Sequence, residues 1–151
     1  MTTTYESLDE LRKAAGTDLG YSSWITIDQD RVNLFAEATD DHQWIHVDPE
    51  LAAQGPFGST IAHGYLTLSL LPIMSAEVLY VSGVRMAVNY GVNRVRFPAP
   101  VPVGSRVRGH LVLTSVEDIA GGVQIVATTT IEREGGEKPV CVAESVSRYY
   151  E

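Results

Sequence analysis

The sequence has little of several features that define large classes of proteins. Only one of its 151 residues is a cysteine, Cys141, so no disulfide can form within one chain. No apolar run approaches the roughly 18 residues of a membrane-spanning helix. The first residues have neither the basic start nor the apolar core of a signal peptide. We therefore expect a cytoplasmic protein without disulfides and without a membrane partner.

Positive charge is also scarce, because 11 lysines and arginines face 19 aspartates and glutamates and the formal net charge is −8. A nucleic-acid-binding protein usually carries a basic stripe, so we expect no nucleic-acid partner. The one local basic cluster consists of Arg94, Arg96, Arg106 and Arg108. These arginines either bind a small anionic ligand or only solvate the faces of strands, and the sequence favours neither interpretation.

The length and composition indicate a single domain over residues 1–151. A chain of this size buries roughly two-thirds of its unfolded surface, and 44% hydrophobic with 20% charged residues is typical of globular proteins. The sequence contains no repeat, low-complexity segment or linker.

The first half of the chain predicts helices. Apolar spacing indicates helices at about 6–15 and 29–39, the second with Asp28 as its N-cap. An Asp-Pro start predicts a single helical turn at 49–53. Residues 64–80 are apolar almost all round, which predicts a long buried helix with a kink at Pro72.

The second half predicts strands rich in valine, isoleucine, threonine and tyrosine, separated by glycine and proline turns. With one earlier strand, the predicted segments are Tyr21–Ile27, Val84–Tyr90, Asn93–Phe97, Ser105–Glu117, Val123–Glu134 and Val140–Tyr150. Helices followed by a meander of strands indicate an α+β fold, in which a curved antiparallel sheet wraps a long apolar central helix.

Ionisable residues are concentrated in Thr39–Pro49, and a His63-Gly64 pair opens the apolar helix. Such residues between apolar helices cost free energy unless they are paired or functional. Their types alone support only an unspecified acid–base site. The four-residue spacing of His42 and His46 also raises a metal site, but β-branched neighbours and Pro49 disfavour the helix that this needs. We therefore expect no metal.

This segment resembles the motif of MaoC-like, R-specific enoyl-CoA hydratases, which have the hot-dog fold. Their motif, roughly Ser/Thr-Gly-Asp-x-Asn-Pro-Leu/Ile/Val-His, runs from Thr39 and places its aspartate at Asp41 and its histidine at His46. The His63-Gly64 pair and the segment 93–101 also match, and the resemblance spans about residues 25–150. Asp40, Gln43 and Trp44 depart from the motif, as in a subgroup that includes nodulation-protein-N-like members.

The resemblance implies a hydro-lyase that adds water to a trans-2-enoyl-CoA and forms the (R)-3-hydroxyacyl-CoA. His46 would activate the water, and Asp41 would be its partner and proton donor, with a pKa raised by burial. The backbone N–H of Gly64 would stabilise the thioester oxyanion. Tyr65, Arg94 and Arg96 are further candidates for substrate binding. Coenzyme A enters only as part of the substrate, no other cofactor is implied, and a homodimer is expected.

Several alternatives stay open at this point. An acyl-thioesterase on the same fold, or a non-catalytic acyl-thioester-binding protein, would use a similar site. We expect Asp40 to cap the preceding helix, His63 to form a local hydrogen bond, and Cys141 to pack within a strand. The acyl chain length and the choice between coenzyme A and acyl carrier protein are not determined by these residues.

Overall fold

The computed structural model describes all 151 residues and shows an α+β chain. Its six helices are α1 (Leu8–Arg12), α2 (Gln29–Thr39), α3 (Trp44–Val47), α4 (Pro49–Ala53), α5 (Gly64–Ser69) and α6 (Leu71–Val78). Its eight strands are β1 (Thr3–Tyr5), β2 (Asp18–Tyr21), β3 (Ile25–Thr26), β4 (Leu79–Val81), β5 (Met86–Arg96), β6 (Arg106–Ile119), β7 (Gly122–Arg133) and β8 (Cys141–Tyr150).

A six-stranded antiparallel sheet contains the order β2-β6-β7-β8-β5, and β3 also pairs with β6. Side chains on β6 and β7 alternate between buried and less buried positions, so one face of the sheet forms the core. The other face accommodates the polar and charged positions of the same strands. The expected antiparallel sheet is thus confirmed, and β1 and β4 form a separate parallel pair that the sequence did not predict.

The apolar central helix departs from the prediction, because it is two short helices instead of one long one. Helix α5 ends at Ser69, α6 begins at Leu71, and Pro72 occupies the first turn of α6. Proline has no N–H to donate and its ring crowds the preceding turn, so the helix divides there. Helix α6 ends at Val78, and residues 79–81 continue as β4.

The same helical segment is also less buried than its composition suggests. Leu66, Met74 and Val78 lie in the core, whereas Tyr65 and Ile73 are 71% and 58% exposed. Only one face of the α5–α6 pair therefore packs against the sheet.

The other helices lie close to the positions that local sequence signals predicted. The Asp28 side chain accepts a hydrogen bond from the Arg31 N–H at 2.8 Å, which begins α2 where predicted. The predicted turn at 49–53 coincides with α4, but α1 is shorter than residues 6–15. The predicted strand Tyr21–Ile27 is replaced by the short strands β2 and β3, and β5 runs unbroken through Gly91. No helix of the structure has both the length and the apolar character needed to cross a membrane.

Candidate active site

The α3 turn, which the sequence did not predict, places the imidazole of His46 in the interior. His46 is 7% exposed, and its Nδ1 lies 2.7 Å from the carbonyl oxygen of Ile61. The Ile61 N–H in turn donates to the carbonyl of Ile45 at 3.0 Å. Because a carbonyl can only accept, Nδ1 carries the proton and Nε2 of a neutral His46 has a free lone pair.

A polar network fixes the backbone of His46 to α2. Nε2 of Gln29 donates to the His46 carbonyl at 2.8 Å, and the Thr60 hydroxyl donates to Oε1 of the same glutamine at 2.7 Å. Thr60 is buried and precedes Ile61. The backbone and the ring of His46 are therefore both held by groups from outside α3, which limits the positions its Nε2 can adopt.

Asp41 and His63 lie beside His46. One ligand-type atom from each of the three residues lies within 4.8 Å of the other two. Asp40 ends α2 in the left-handed conformation, with φ of 61°, which turns the chain so that Asp41 reaches this cluster. Asp40 itself thus has the capping role expected of it.

Burial differs between the two predicted acid–base residues. Asp41 is exposed, so the burial on which the expectation of a protonated aspartate depended is not found in the single chain. His46 is buried, and this burial lowers the pKa of its imidazole. The hydrogen bond to Ile61 opposes this shift, His63 adds to it, and Asp41 weakly opposes it. A lowered pKa keeps His46 neutral, as a base that accepts a proton near pH 7 must be.

The start of α5 provides a free backbone donor. The N–H groups of Gly64 and Tyr65 donate to no acceptor within the protein. The space that a side chain at Gly64 would occupy is filled by Phe97, whose ring atoms would lie 3.2–3.3 Å from an added Cβ. The exposed Tyr65 ring meets the Phe97 ring edge-on, with centroids 6.4 Å apart. The sequence had not singled out Phe97, although it lies in the segment 93–101 that matched the family.

The four clustered arginines separate into two pairs with different surroundings. Arg106 forms an ion pair with Glu134, and Arg108 lies 2.6 Å from Glu132. Arg94 and Arg96 are exposed on β5 and contact no carboxylate within 4.0 Å. Only these two keep their charge available for an anion, and Arg96 directly precedes Phe97.

The cluster of Asp41, His46 and His63 has the residue types and the proximity of a metal site, but the orientation of its two rings disfavours one. His42 is separate from it and lies 3.3 Å from Glu37. The rings of His46 and His63 are stacked, with centroids 3.9 Å apart and planes inclined by 24°. A zinc ion lies about 2.0–2.1 Å from each histidine nitrogen and close to both ring planes. Nearly parallel planes at this separation do not meet so close to the rings, so the two stacked rings are poorly oriented to share one zinc ion.

Two cavities adjoin α5. The smaller, of about 320 Å³, includes Gly64, Thr67 and Phe97 in its wall. The larger, of about 500 Å³, lies between the α5–α6 pair and the sheet and begins at Leu68, one turn beyond Gly64. Its wall is mostly apolar, with polar atoms from Ser69 and Tyr149 among others. Its volume is within the range of small-molecule sites in proteins, roughly 300–1,000 Å³.

An antiparallel sheet packed on the α5–α6 pair, with a histidine–carboxylate cluster near the start of α5, agrees with the hot-dog fold expected from the sequence motif. The family model for the MaoC-like domain matches residues 10–135. The chain therefore belongs to the MaoC-like family.

Individual relatives agree with this family. The chain is 60% identical over 147 residues to 3-hydroxyacyl-thioester dehydratase Z of Mycobacterium tuberculosis, with 97% of each chain covered. It is 48% identical to Nodulation protein N of Rhizobium leguminosarum, over 91% of this chain and 87% of that protein. The structure of an R-hydratase from Pseudomonas aeruginosa superposes with a TM-score of 0.77 at 25% identity, over 97% of this chain and 87% of that one. These relatives support a role as a hydratase or dehydratase.

Proposed function

We propose that this protein interconverts trans-2-enoyl thioesters and (R)-3-hydroxyacyl thioesters, with coenzyme A as the carrier. The observation that carries the proposal is the state of His46. Its Nδ1 is bonded to the Ile61 carbonyl, and its burial favours the neutral ring, so Nε2 is free to accept a proton. Asp41 lies within the same cluster and the free N–H of Gly64 lies at the start of α5.

In the hydration direction, His46 takes a proton from a water molecule whose oxygen attacks the β-carbon of the enoyl group. The electron pair of the double bond moves towards the thioester, and the Gly64 N–H stabilises the negative charge on the thioester oxygen. The acid–base pair of His46 and Asp41 then returns one proton to the α-carbon, which restores its starting protonation state. Dehydration is the same series of chemical steps in reverse, so the names of hydratase and dehydratase relatives describe one reaction.

The acyl group has a suitable place in the larger cavity. This cavity begins one turn beyond Gly64 and is lined mostly by apolar side chains of α5, α6 and the sheet. Arg94 and Arg96 carry unpaired charge at the β5 edge, beside Phe97, and suit the phosphates of coenzyme A. The exposed Tyr65 follows the proposed oxyanion donor in the chain and meets the Phe97 ring edge-on.

The edge strand β5 supports a homodimer. Most of its residues are exposed, including Met86, Val88, Tyr90 and Val92 at 38–59%. An 11-residue edge with unpaired backbone groups and apolar side chains favours pairing with another strand. The matching edge of a second copy satisfies both the backbone and the apolar surface. Light scattering should give a mass of twice 16.4 kDa. Val92→Lys should shift it towards one chain, whereas Leu34→Lys, on the exposed face of α2, should not.

The activity is tested with crotonyl-CoA by following the loss of the enoyl absorbance. Replacing a general acid–base residue typically costs about 10²–10⁴ in rate, so we expect losses of that size for Asp41→Asn and His46→Gln. Asp40→Asn and His42→Gln are matched controls, because they change the same residue types in the same loop but outside the cluster. Both controls should keep activity close to that of the unaltered protein.

Two results would contradict the proposal. Release of free coenzyme A thiol without formation of a 3-hydroxyacyl product would indicate a thioesterase. Binding of enoyl-CoA thioesters of several chain lengths without turnover, in folded protein, would indicate a binding role.

A further inference from the structure

His63 contacts both His46 and the backbone of Asp41 and directly precedes Gly64, although the sequence suggested only a local hydrogen bond. It is the N-cap of α5, yet its side chain caps no N–H of that helix. Instead the ring points into the interior, is 2% exposed, and stacks on His46. Its other face tilts against the Phe35 ring of α2, with centroids 4.9 Å apart.

One nitrogen of His63 binds the backbone of Asp41. Nε2 lies 3.0 Å from the Asp41 carbonyl oxygen, 22 residues earlier in the chain. Since the carbonyl accepts, Nε2 carries the proton and Nδ1 carries a lone pair. This bond ties the segment that holds the carboxylate to the residue that precedes Gly64.

The second nitrogen of His63 has no explanation in a purely structural role. Nδ1 is buried and has no hydrogen-bond partner. Leaving a buried polar atom unpaired costs free energy, and such atoms are unusual in a native protein. Phenylalanine would fill the same space beside Phe35 without this cost. A polar ring at this position therefore serves something other than packing.

Electrostatic repulsion between the imidazoles of His46 and His63 explains a polar ring at position 63 better than packing does. The two imidazoles are 3.9 Å apart, and a proton on one ring opposes a proton on the other because two positive charges at that distance repel. The charged group facing this pair from the preceding loop is Asp41. Helix α2 contributes the apolar Phe35 ring and the uncharged Gln29. His63 is therefore the ionisable neighbour that opposes protonation of His46, in addition to the larger effect of burial.

We propose that His63 is a positioning residue of the hydration site: it fixes the backbone of Asp41 and, by stacking, keeps His46 available as the unprotonated base. This inference rests on the proposed function and assigns His63 no contact with the reacting atoms. Hydrogen bonding would set where the carboxylate lies, and stacking would set how readily His46 takes a proton from solvent.

Two variants separate these effects. His63→Phe keeps a ring in the stack but removes the hydrogen bond and the second imidazole. His63→Gln keeps an N–H donor at the distance of Nε2, which can reach the Asp41 carbonyl, but removes the ring. We expect His63→Phe to lower kcat by about 10- to 100-fold with little change in KM, because small misplacement of catalytic groups costs this much. His63→Gln should recover part of kcat.

The pH dependence provides the readout that a packing role would not change. In both variants the acidic limb of kcat/KM should move to higher pH, since His46 no longer has a titrating neighbour to oppose its protonation. His42→Gln, which removes an exposed histidine from the same loop, should leave the limb in place. NMR titration of the His46 ring should show its midpoint moving upward in both variants, and this measurement needs no substrate.

Unchanged kcat and an unchanged His46 titration in folded His63→Phe would overturn the inference. A loss of kcat in both variants with an unmoved titration would also overturn it, because His63 would then be structural only. If the unaltered protein hydrates no enoyl thioester, the proposed function fails. The NMR titration still decides in that case whether His63 controls the protonation of His46.

Discussion

Replacing Gly64 by alanine tests how the proposed oxyanion donor is held. A Cβ at this position would lie 3.2 Å from Cδ2 and Cε2 of Phe97 and 3.3 Å from its Cγ. Carbon atoms in favourable contact are about 3.5–4.0 Å apart, so the ring or the start of α5 must move by a few tenths of an ångström. Tyr65, edge-on to the same ring, limits the movement of Phe97 on one side.

The size of the expected loss of kcat follows from the geometry of oxyanion donors. An oxyanion donor acts at about 2.7–3.1 Å, and losing one costs about 10²–10³ in kcat. A displacement of a few tenths of an ångström weakens the bond without abolishing it. We therefore expect kcat of Gly64→Ala to fall about tenfold, which corresponds to about 1.4 kcal/mol. KM should change much less, because the bond strengthens mainly in the transition state.

The assay is a double-mutant cycle with crotonyl-CoA, using Gly64→Ala, Phe97→Ala and the double variant. If the Phe97 ring causes the loss, the double variant should be faster than the product of the two single effects predicts. Thermal unfolding of each variant shows whether it is folded under assay conditions. Strictly multiplicative losses would refute this reasoning. They would instead support direct obstruction of the thioester by the new side chain.

Five further outcomes are expected. Because burial lowers the pKa of His46 below 6.5, kcat/KM should stay level as the pH falls through 6.5 and decline only below it; a decline centred above 6.5 would contradict the assigned base. At pH values between the folded and the unfolded pKa of His46, the native state binds fewer protons than the unfolded state. The contribution of His46 to the free energy of unfolding is therefore complete above pH 6.5 and is lost as the pH falls towards its folded pKa. Denaturant titrations at several pH values can measure this loss. Charge reversal of Arg94 and Arg96 to glutamate should raise KM for enoyl-CoA far more than it lowers kcat. An equal effect from Arg85→Glu, next to the opposite end of β5, would show that Arg94 and Arg96 do not bind the substrate specifically. Exhaustive chelation should leave turnover unchanged, because the planes of the two stacked histidine rings do not meet where both rings could bind one ion. A stoichiometric metal in the purified protein would overturn this expectation. Ile131→Ala, at a fully buried position of β7, should reduce the free energy of unfolding by about 2–5 kcal/mol in chemical denaturation, and a loss below about 1 kcal/mol would show that the core is misassigned.

Much of the fold could be predicted because its signals are local. The Asp28 cap, the Asp-Pro start of α4 and the β-branched strands each act within a few residues. The central helix was the main error. Pro72 predicted a kink and the helix divides there, but the continuation of the chain after Val78 into β4 depends on pairing with β1, far away in the chain.

The candidate site was predicted in part, for a different reason. The family motif identified Asp41 and His46, and the structure brings them together with His63. The role of Phe97 was missed, because its contact with Gly64 forms only when β5 packs beside α5. The exposure of Asp41 was likewise not visible in a segment rich in ionisable residues.

The sequence by itself determined the class of fold, since local patterns of residue type encode it. Through the family motif it also singled out Asp41 and His46 as candidate acid–base residues and Gly64 as a candidate backbone donor. Only the tertiary structure decided which arginines are paired with glutamates and which are free. It also decided that His63 binds the backbone of a residue 22 positions earlier while stacking on His46. Such contacts join residues distant in the chain, and their geometry depends on how the helices and the sheet pack.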